Sequence, residues 1–347
     1  MRLTRAYYHC RHCRSGHCPW DAALRLTAGD LTPAAEEMVS LAGLLSSFGE
    51  AAEKVLPRLA GLRLAESTAE RTTEAAGTRL ARRRSAGEIF GPARDWPWRR
   101  DASGRTCAYV SLDATGVGMQ GEGGTAAEGR MAYVGLIFSP GEAGAPARER
   151  ALAGLYGLPE LGAQMRKQGA QVGMDRADVW VALTDGGAGL EEFLHVYFPR
   201  AECVLDFYHA AEHLNDLARA LHPDEAKAQE AAGAWCHVLK HRGGEALLAL
   251  LEALDLRGRK GGAREAHRRE VGYVRNNVHR MDYPRYQASG WLIGSGHVEA
   301  ACKSVVGQRL KGGGMRWGEE GADAVCHLRA LFKSEKGQWD AFWANAA

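Results

Sequence analysis

Short apolar runs alternate with amphipathic stretches along the middle of the chain. The short runs are strand-like, whereas the stretches between them place their apolar residues at helical spacing. Strands are predicted at 107–113, 131–138, 179–185 and 202–207, and helices near 158–168, 189–197 and 208–221. Because strands that alternate with helices are typical of an α/β sheet, we predict the α/β fold class.

Helical sequence is predicted on both sides of this region. From 223 to about 280 the pattern is helical, polar and basic, with no strand signal. A second helical stretch covers about 32–86, and residues 87–104, with their prolines and glycines, resemble a linker.

The first helical stretch contains two helix-start signals. Thr32 can cap a helix that begins at Pro33, and the tetrapeptide 67–70 (Ser-Thr-Ala-Glu) is a capping-box pattern. The helix that this box would open is basic, with Arg71, Arg79, Arg82, Arg83 and Arg84. Short helices that end in a basic one favour a helix-turn-helix, and the alternative is a helical bundle with a solvated basic face.

Length, charge and composition exclude several classes of protein. The 347 residues predict two or three domains, and a net charge of +2 excludes a histone-like coat but not a local basic patch. No apolar run is long enough to span a membrane, and no apolar segment follows the first five residues as in a signal peptide. With scattered cysteines, this predicts a cytoplasmic protein.

A basic block with interleaved aromatic residues lies between Tyr273 and Trp317. Its cations are Arg275, Arg280, Arg285, Lys303, Arg309, Lys311 and Arg316, and its rings include Tyr283, Tyr286 and Trp291. Cations neutralise phosphates and rings stack on bases, so the block favours a nucleic-acid surface. An ordinary basic surface over buried aromatics is the alternative.

Three acids lie at element ends or next to turns. Asp113 and Asp185 each end a predicted strand, and Glu299 follows a Gly-Ser-Gly turn in which Ser295 or a glycine could begin a helix. Carboxylates that converge in one crevice repel each other unless cations bind between them, and hard oxygen ligands suit Mg²⁺ or Mn²⁺. Acids at strand ends are also often caps or ion-pair partners.

Several motifs carry a resemblance to a known family. They are Ser-Leu-Asp-Ala-Thr-Gly at 111–116, Leu-Thr-Asp-Gly at 183–186, Leu-Asp-Phe-Tyr-His at 205–209 and the long block from Ile293 to Lys311, which runs on to Trp317. Together they resemble the ISKra4 family of bacterial insertion-sequence transposases, which is similar to the Mutator-like DDE transposases. The resemblance covers roughly residues 3–343, and its last block is the specific part.

The resemblance implies a division into segments. They would be a partial zinc-ribbon-like segment at 1–28, a helix-turn-helix-like DNA-binding region at 29–90, an RNase H-like core at 104–222 and 285–335, and a helical insertion at 223–284. Asp113 would lie on the first strand of the core, Asp185 just after the fourth, and Glu299 on a late helix.

The resemblance also implies a DNA transposase. Asp113, Asp185 and Glu299 would hold two Mg²⁺ or Mn²⁺ ions, a water would cut the transposon end, and the freed 3′-OH would attack target DNA. No covalent protein–DNA intermediate is expected. The DNA partners would be terminal inverted repeats and target DNA, bound by at least a dimer in the bacterial cytoplasm, at the nucleoid.

The resemblance also implies roles for other residues. Asp206 and His209 match an Asp/Cys-x-x-His signature that supports the active site, with a helix-capping Asp and a satisfied His as the alternative. Trp291 would stack on a flipped base, or else be a core residue. The remaining DNA-binding candidates are Arg275, Asn276, Lys303, Arg309, Lys311 and Arg316, whereas Asn277 and Gln308 could be structural.

The N-terminal cysteines resemble half of a zinc ribbon. Cys10, Cys13 and Cys18 lie among three histidines, but a tetrahedral zinc site needs four ligands and relatives carry another Cys pair upstream. A late start codon, a truncated ribbon or a histidine ligand would each account for the difference.

Two other functions stay open. One is a catalytically silent, transposase-derived DNA-binding protein, and the other is a structure-selective nuclease on an RNase H-like scaffold. A Rossmann-type enzyme is disfavoured, because the glycines at 121, 123 and 124 do not form a dinucleotide-binding turn.

Overall fold

The computed structural model describes residues 6–23, 31–141, 148–187 and 189–344. Parts of the segments predicted at 1–28 and 29–90 therefore lie outside the described residues. The strands are β1 Tyr8–His9, β2 Gly16–His17, β3 Arg99–Arg100, β4 Thr106–Gln120, β5 Ala126–Ser139, β6 Arg148–Gly154, β7 Val179–Thr184 and β8 Ala201–Leu205.

Helices make up most of the remaining described structure. They are α1 Pro19–Ala23, α2 Pro33–Leu45, α3 Phe48–Glu50, α4 Leu56–Leu59, α5 Glu66–Ser85, α6 Leu158–Gln171, α7 Leu190–Tyr197, α8 Phe207–Leu221, α9 Glu225–Glu252, α10 Gly261–Asn277, α11 Tyr283–Ala288, α12 Gly296–Ala301, α13 Gln308–Leu310, α14 Glu319–Lys333 and α15 Gln338–Ala344. Among the described residues, no helix is long and apolar enough to cross a membrane.

A mixed sheet organises the fold, which confirms the predicted α/β class. Its main path has the order β6-β5-β4-β7-β8, and β3 adds to β4. The pairs β4–β5 and β5–β6 are antiparallel, whereas β4–β7 and β7–β8 are parallel. Alternate residues of β4 enter different cores: Tyr109 and Val117 face the larger one, and Val110 and Leu112 face the one under α6 and α7.

The strand β4 is longer than the strand that the sequence predicted at 107–113. It does not end at Asp113 but continues to Gln120, and most of the residues between the predicted strands at 107–113 and 131–138 belong to β4 and β5. Beyond Gly116 buried and exposed residues alternate, with Val117 and Met119 inside, so a period of two extends the strand. The turn itself is short, with Gly123 and Gly124 at positive φ.

Two further predictions about local structure are wrong. The helix α5 begins at Glu66 after Ala65, so the capping-box pattern does not start it, whereas Thr32 does cap α2 through Ala35 N. The segment 87–104 is no free linker, because Trp96 and Trp98 are buried and β3 lies within it. The strand β6 was not predicted, since its first residues are charged.

The basic helix α5 packs on the body of the protein instead of presenting a continuous basic face. Arg84 is buried, Arg79 pairs with Glu36 at 2.7 Å, and Arg83 pairs with Glu88. Arg71 and Arg82 remain exposed. The predicted DNA-reading helix therefore uses three of its five arginines for internal contacts.

The region 223–284 is helical, as predicted. The helices α9 and α10 pack against α8, and α11 packs against α9. The long α9 bends at Gly243, whose φ is +83°, and this bend brings Gly244 against Met281. No described strand interrupts this region.

A close backbone approach at Gly77 fixes the docking of α5 on α14. A Cβ at this position would collide with the carbonyl oxygen of Ala324. We expect Gly77→Ala to destabilise the protein by about 1 to 3 kcal/mol, because backbone atoms must separate. Gly233→Ala in α9 is the matched control: nothing lies within 4 Å of its Cβ position, and helix propensity predicts a gain of about 0.5 to 1 kcal/mol. Urea unfolding midpoints measure both, and equal shifts would contradict the docking contact.

Candidate active site

Asp113 lies near the middle of the sheet, where the parallel pairing of β4 and β7 ends at Ser111 and Leu183. Its Oδ1 accepts a hydrogen bond from Ala114 N at 2.6 Å, and its Oδ2 accepts one from the Cys302 thiol at 3.4 Å. Burial raises the pKa of Asp113, and the negative charges of Asp185 and Glu299 raise it further, against the two hydrogen bonds.

Asp185 follows β7 directly and is half-buried. Its Oδ1 accepts a hydrogen bond from Gly187 N at 2.9 Å, and Gly186 between them has a φ of +85°, which suits a residue without a Cβ. This tight turn presents the carboxylate at the end of a parallel strand, beside Asp113 on the neighbouring strand.

Glu299 lies in the first turn of α12. Ser295 precedes this helix, and its hydroxyl lies 3.3 Å from Glu299 Oε1. On the outer side, Lys303 Nζ lies 3.8 Å from Glu299 Oε2, and both side chains are largely exposed. An exposed pair of this kind contributes little stability, so Glu299 is free to exchange partners.

The three acids line one cavity of about 210 Å³. They come from β4, the turn after β7 and α12, which are far apart in the sequence. The residues that line the cavity are Leu112, Asp113, Asp185, Asp206, Tyr208, His209, Glu212, Ser295, Val298 and Glu299. Five of the ten carry carboxylates, which makes the cavity strongly acidic.

Asp206 connects the walls of this cavity. It caps α8 by accepting hydrogen bonds from Tyr208 N and His209 N, and its other oxygen accepts from Ser295 N at 3.1 Å and from the Ser295 hydroxyl. The side chain is 1% exposed. The helix cap that the sequence left open as the alternative is present, and the hydrogen bonds to Ser295 join α8 to the segment before α12. His209 lines the cavity, and its Nδ1 lies 3.6 Å from Glu212 Oε2.

The donor set fits hard divalent cations. Among the described residues, no Lys, Arg or His lies within ion-pair distance of Asp113 or Asp185, and their oxygens accept only the hydrogen bonds given above. The carboxylates surround the cavity instead of converging on one point, since no three His, Cys, Asp or Glu side chains in the described chain are placed to hold one ion. Ions shared by pairs of carboxylates, with water completing the shell, are compatible with this arrangement.

Two of the predicted DNA-binding residues lie beside the acids. Lys303 and Lys311 line a second cavity of about 290 Å³, together with Asp113, Glu299 and Cys302. Lys311 Nζ contacts the Thr115 hydroxyl. Both ammonium groups therefore lie beside the carboxylates of Asp113 and Glu299.

Other DNA-binding candidates are placed differently. Arg309 is buried, donates to Gly43 O at 2.8 Å and stacks on Phe48 and Trp317, so its predicted phosphate contact is replaced by a structural one. Trp291 is 7% exposed and stacks on Tyr286, as the alternative core interpretation had it.

Three exposed candidates lie outside both cavities. Arg275 and Asn276 are exposed on α10, with Arg275 paired to Glu252 at 2.7 Å, and Arg316 lines a separate pocket beside three glutamates of α5. Their positions leave them accessible to a polyanion but do not connect them to the acids.

The N-terminal cysteines form part of a small hairpin. The strands β1 and β2 pair antiparallel, Cys10 and Cys13 are exposed, and Cys18 is partly buried. A hydrogen bond with Ser15 lowers the pKa of Cys13 to about 7. Among the described residues, no three His, Cys, Asp or Glu side chains at this hairpin are placed to hold one metal ion, and the zinc site stays a prediction.

Several residues of the site were not predicted from the sequence. Cys302, Tyr208 and Glu212 lie in or beside the cavities, and Ser295 was considered only as a helix start. Tyr208 and Glu212 lie in the first two turns of α8, shortly after Asp206, and this position was the signal that could have indicated them. No local pattern indicates that the Cys302 thiol contacts Asp113.

No protein-family model matches the chain, and no curated protein matches it.

Replacing Asp206 tests its role as the connection between α8 and α12. We expect Asp206→Ala to destabilise the protein by about 2 to 4 kcal/mol, because buried N–H donors lose their acceptor. Asp224→Ala is the control: Asp224 caps α9 through Lys227 N alone and is exposed, so about 1 kcal/mol should be lost. Urea unfolding midpoints compare the two, and equal losses would refute the special role of Asp206.

The raised pKa of Asp113 predicts a pH-dependent effect on stability. Ionisation of this carboxyl is disfavoured in the folded protein, so its contribution is favourable at low pH and is lost as the pH rises through the folded pKa. Without divalent cations, Asp113→Asn should raise the urea midpoint at about pH 7, and the gain should shrink toward about pH 4. Asp216→Asn, an exposed carboxylate on α8, should show no such trend. A gain that does not change with pH would contradict this assignment.

Proposed function

We propose that this protein is a DDE-type DNA transposase that resembles the ISKra4 family, with an RNase H-like catalytic domain. One observation carries the proposal: Asp113, Asp185 and Glu299 line a single acidic cavity although they come from three separate elements. The motifs that carried the resemblance contain these same three residues.

The positions of the acids in the fold support the RNase H-like part of the proposal. Asp113 lies on the first strand in chain order of the path β6-β5-β4-β7-β8, and Asp185 follows the fourth. Glu299 lies on a late helix, after the helical region that contains α9 and α10. This is the order that the resemblance implied.

The proposed reaction is phosphodiester hydrolysis followed by strand transfer. Divalent cations bound by Asp113, Asp185 and Glu299 would supply charge neutralisation and activation of the attacking hydroxyl. Asp113 must be ionised to act as a ligand, and its raised pKa means that bound cations must offset the cost of this charge. The chain would then contribute to catalysis by positioning the DNA and neutralising its negative charge, without forming a covalent bond to it.

The residues around the acids would support this chemistry in two ways. Asp206 holds α8 to the segment before α12, which fixes Glu299 relative to the two aspartates. Lys303 and Lys311 would neutralise the phosphates next to the one that reacts. In this proposal Lys303 leaves its weak pair with Glu299 when DNA binds.

DNA cleavage tests the proposed function directly. The full chain would be incubated with labelled duplexes that carry the terminal inverted repeats of its own element, with Mg²⁺ or Mn²⁺. We expect nicking at the element boundary and joining of the freed 3′-OH to a target duplex. Asp113→Asn should reduce cleavage by about a hundredfold or more, the scale of a lost electrostatic group, whereas Asp216→Asn should cleave like the wild type.

The outcomes separate the alternatives. Cleavage of branched DNA without strand transfer would identify a structure-selective nuclease, and binding without cleavage would identify a silent DNA-binding protein. Undiminished cleavage by Asp113→Asn would refute the assignment of the site. Gel filtration of the DNA complex would test the proposed dimer.

A further inference from the structure

The ring of Tyr273 in α10 is held rigidly beside the acidic cavity. It stacks face to face on His213, with ring centroids 3.8 Å apart and an angle of 17° between the planes. His213 Nδ1 lies 2.6 Å from Glu270 Oε2, and Glu270 is 1% exposed. The ring of Tyr273 also makes an edge-to-face contact with the ring of His209, which lines the cavity. A side chain with this many fixed neighbours has little freedom to rotate.

The end of α10 is joined to the turn that carries Asp185. Arg280 donates to the Thr184 hydroxyl at 3.3 Å and to the side chain of Asn277. Asn277 in turn donates to Tyr273 O at 2.8 Å. A Cβ on Gly186 would lie 3.6 Å from Asn277 Oδ1. Tyr273 therefore lies one helical turn before Asn277, which is bonded to Arg280 and lies near Gly186.

The hydroxyl of Tyr273 is buried and has no hydrogen-bond partner among the described residues. A buried hydroxyl without a partner is unfavourable, and it calls for an explanation. Burial raises the pKa of Tyr273, and the nearby negative charges of Asp185 and Asp206 raise it too, against the positive charge of Arg280. The hydroxyl thus stays protonated and can act as a donor.

The charge of Glu270 also acts on Tyr273, but its two oxygens already contact Arg269 and His213, and of the three carboxylates only Asp185 has an oxygen left to accept. Both oxygens of Asp206 already accept hydrogen bonds, from the α8 backbone and from Ser295. Asp185 Oδ1 accepts from Gly187 N, whereas its Oδ2 accepts none from the described part of the chain. A carboxylate that binds a cation through one oxygen is commonly held by a donor on the other.

We propose that Tyr273 is a positioning residue for Asp185: its hydroxyl donates a hydrogen bond to the free oxygen of Asp185 when that carboxylate binds a divalent cation. The inference rests on the proposed function only for the presence of the cation. It gives the helical region 223–284 a part in the active site, through α10.

Thermal unfolding in a Mn²⁺ titration tests this inference without requiring catalysis. The full chain, Tyr273→Phe and Tyr286→Phe are compared by the Mn²⁺ concentration that gives half of the maximal rise in Tm. Tyr286 is the matched control, because its hydroxyl is also buried without a described partner, but its ring lies on Trp291 and not beside the acids. We expect Tyr273→Phe to raise the half-saturating concentration about tenfold, and Tyr286→Phe to leave it unchanged.

The metal-free proteins provide a second readout. Removal of a hydroxyl that has no partner should leave the Tm of Tyr273→Phe equal to or above that of the wild type, so weaker Mn²⁺ binding cannot result from unfolding. Equal Mn²⁺ midpoints for wild type and Tyr273→Phe, or an equal loss in Tyr286→Phe, would overturn the inference. Wild-type protein that binds Mn²⁺ but cuts no DNA would refute the proposed function and leave the role of Tyr273 intact, whereas failure to bind Mn²⁺ would overturn both.

Discussion

The arrangement of the acidic cavity depends on one buried carboxylate, that of Asp206. It caps α8 and at the same time accepts both polar hydrogens of Ser295, so the end of β8, the start of α8 and the start of α12 meet at one residue. This junction adds direction to the packing of α12 against β4 and β5, because apolar packing by itself is not directional. The direction of Glu299 relative to the strands follows from this hydrogen-bonded junction.

The acids themselves work against the stability of the fold. Asp113 is partly removed from water and has two negative neighbours, and its described contacts include no cation. A structure optimised only for stability would replace or pair such a carboxylate. This unpaired carboxylate supports the proposal that the cavity binds divalent cations.

Positive charge is divided between the interior and the surface in a way that composition does not reveal. Arg309 and Arg329 are buried and bond to backbone carbonyls of other elements, whereas Lys303 and Lys311 stay exposed beside the acids. The basic block that suggested a nucleic-acid surface therefore contains both kinds of residue. The planar guanidinium can bond several carbonyls and stack on rings, which explains why arginine and not lysine takes the buried positions.

Sequence patterns determined the elements of the central region and the three acids. Period-two and helical repeats indicated β7, β8, α7 and α8 to within a residue or two, because burial on these elements follows local spacing. The motifs marked Asp113, Asp185, Glu299, Asp206 and His209, all of which line the cavity. What only the tertiary structure decided was which residues far apart in sequence meet: Cys302 with Asp113, Ser295 with Asp206, Tyr273 with the surroundings of Asp185, and Arg309 with the interior. Such contacts depend on how whole elements pack, and no local pattern of residues encodes the packing partner.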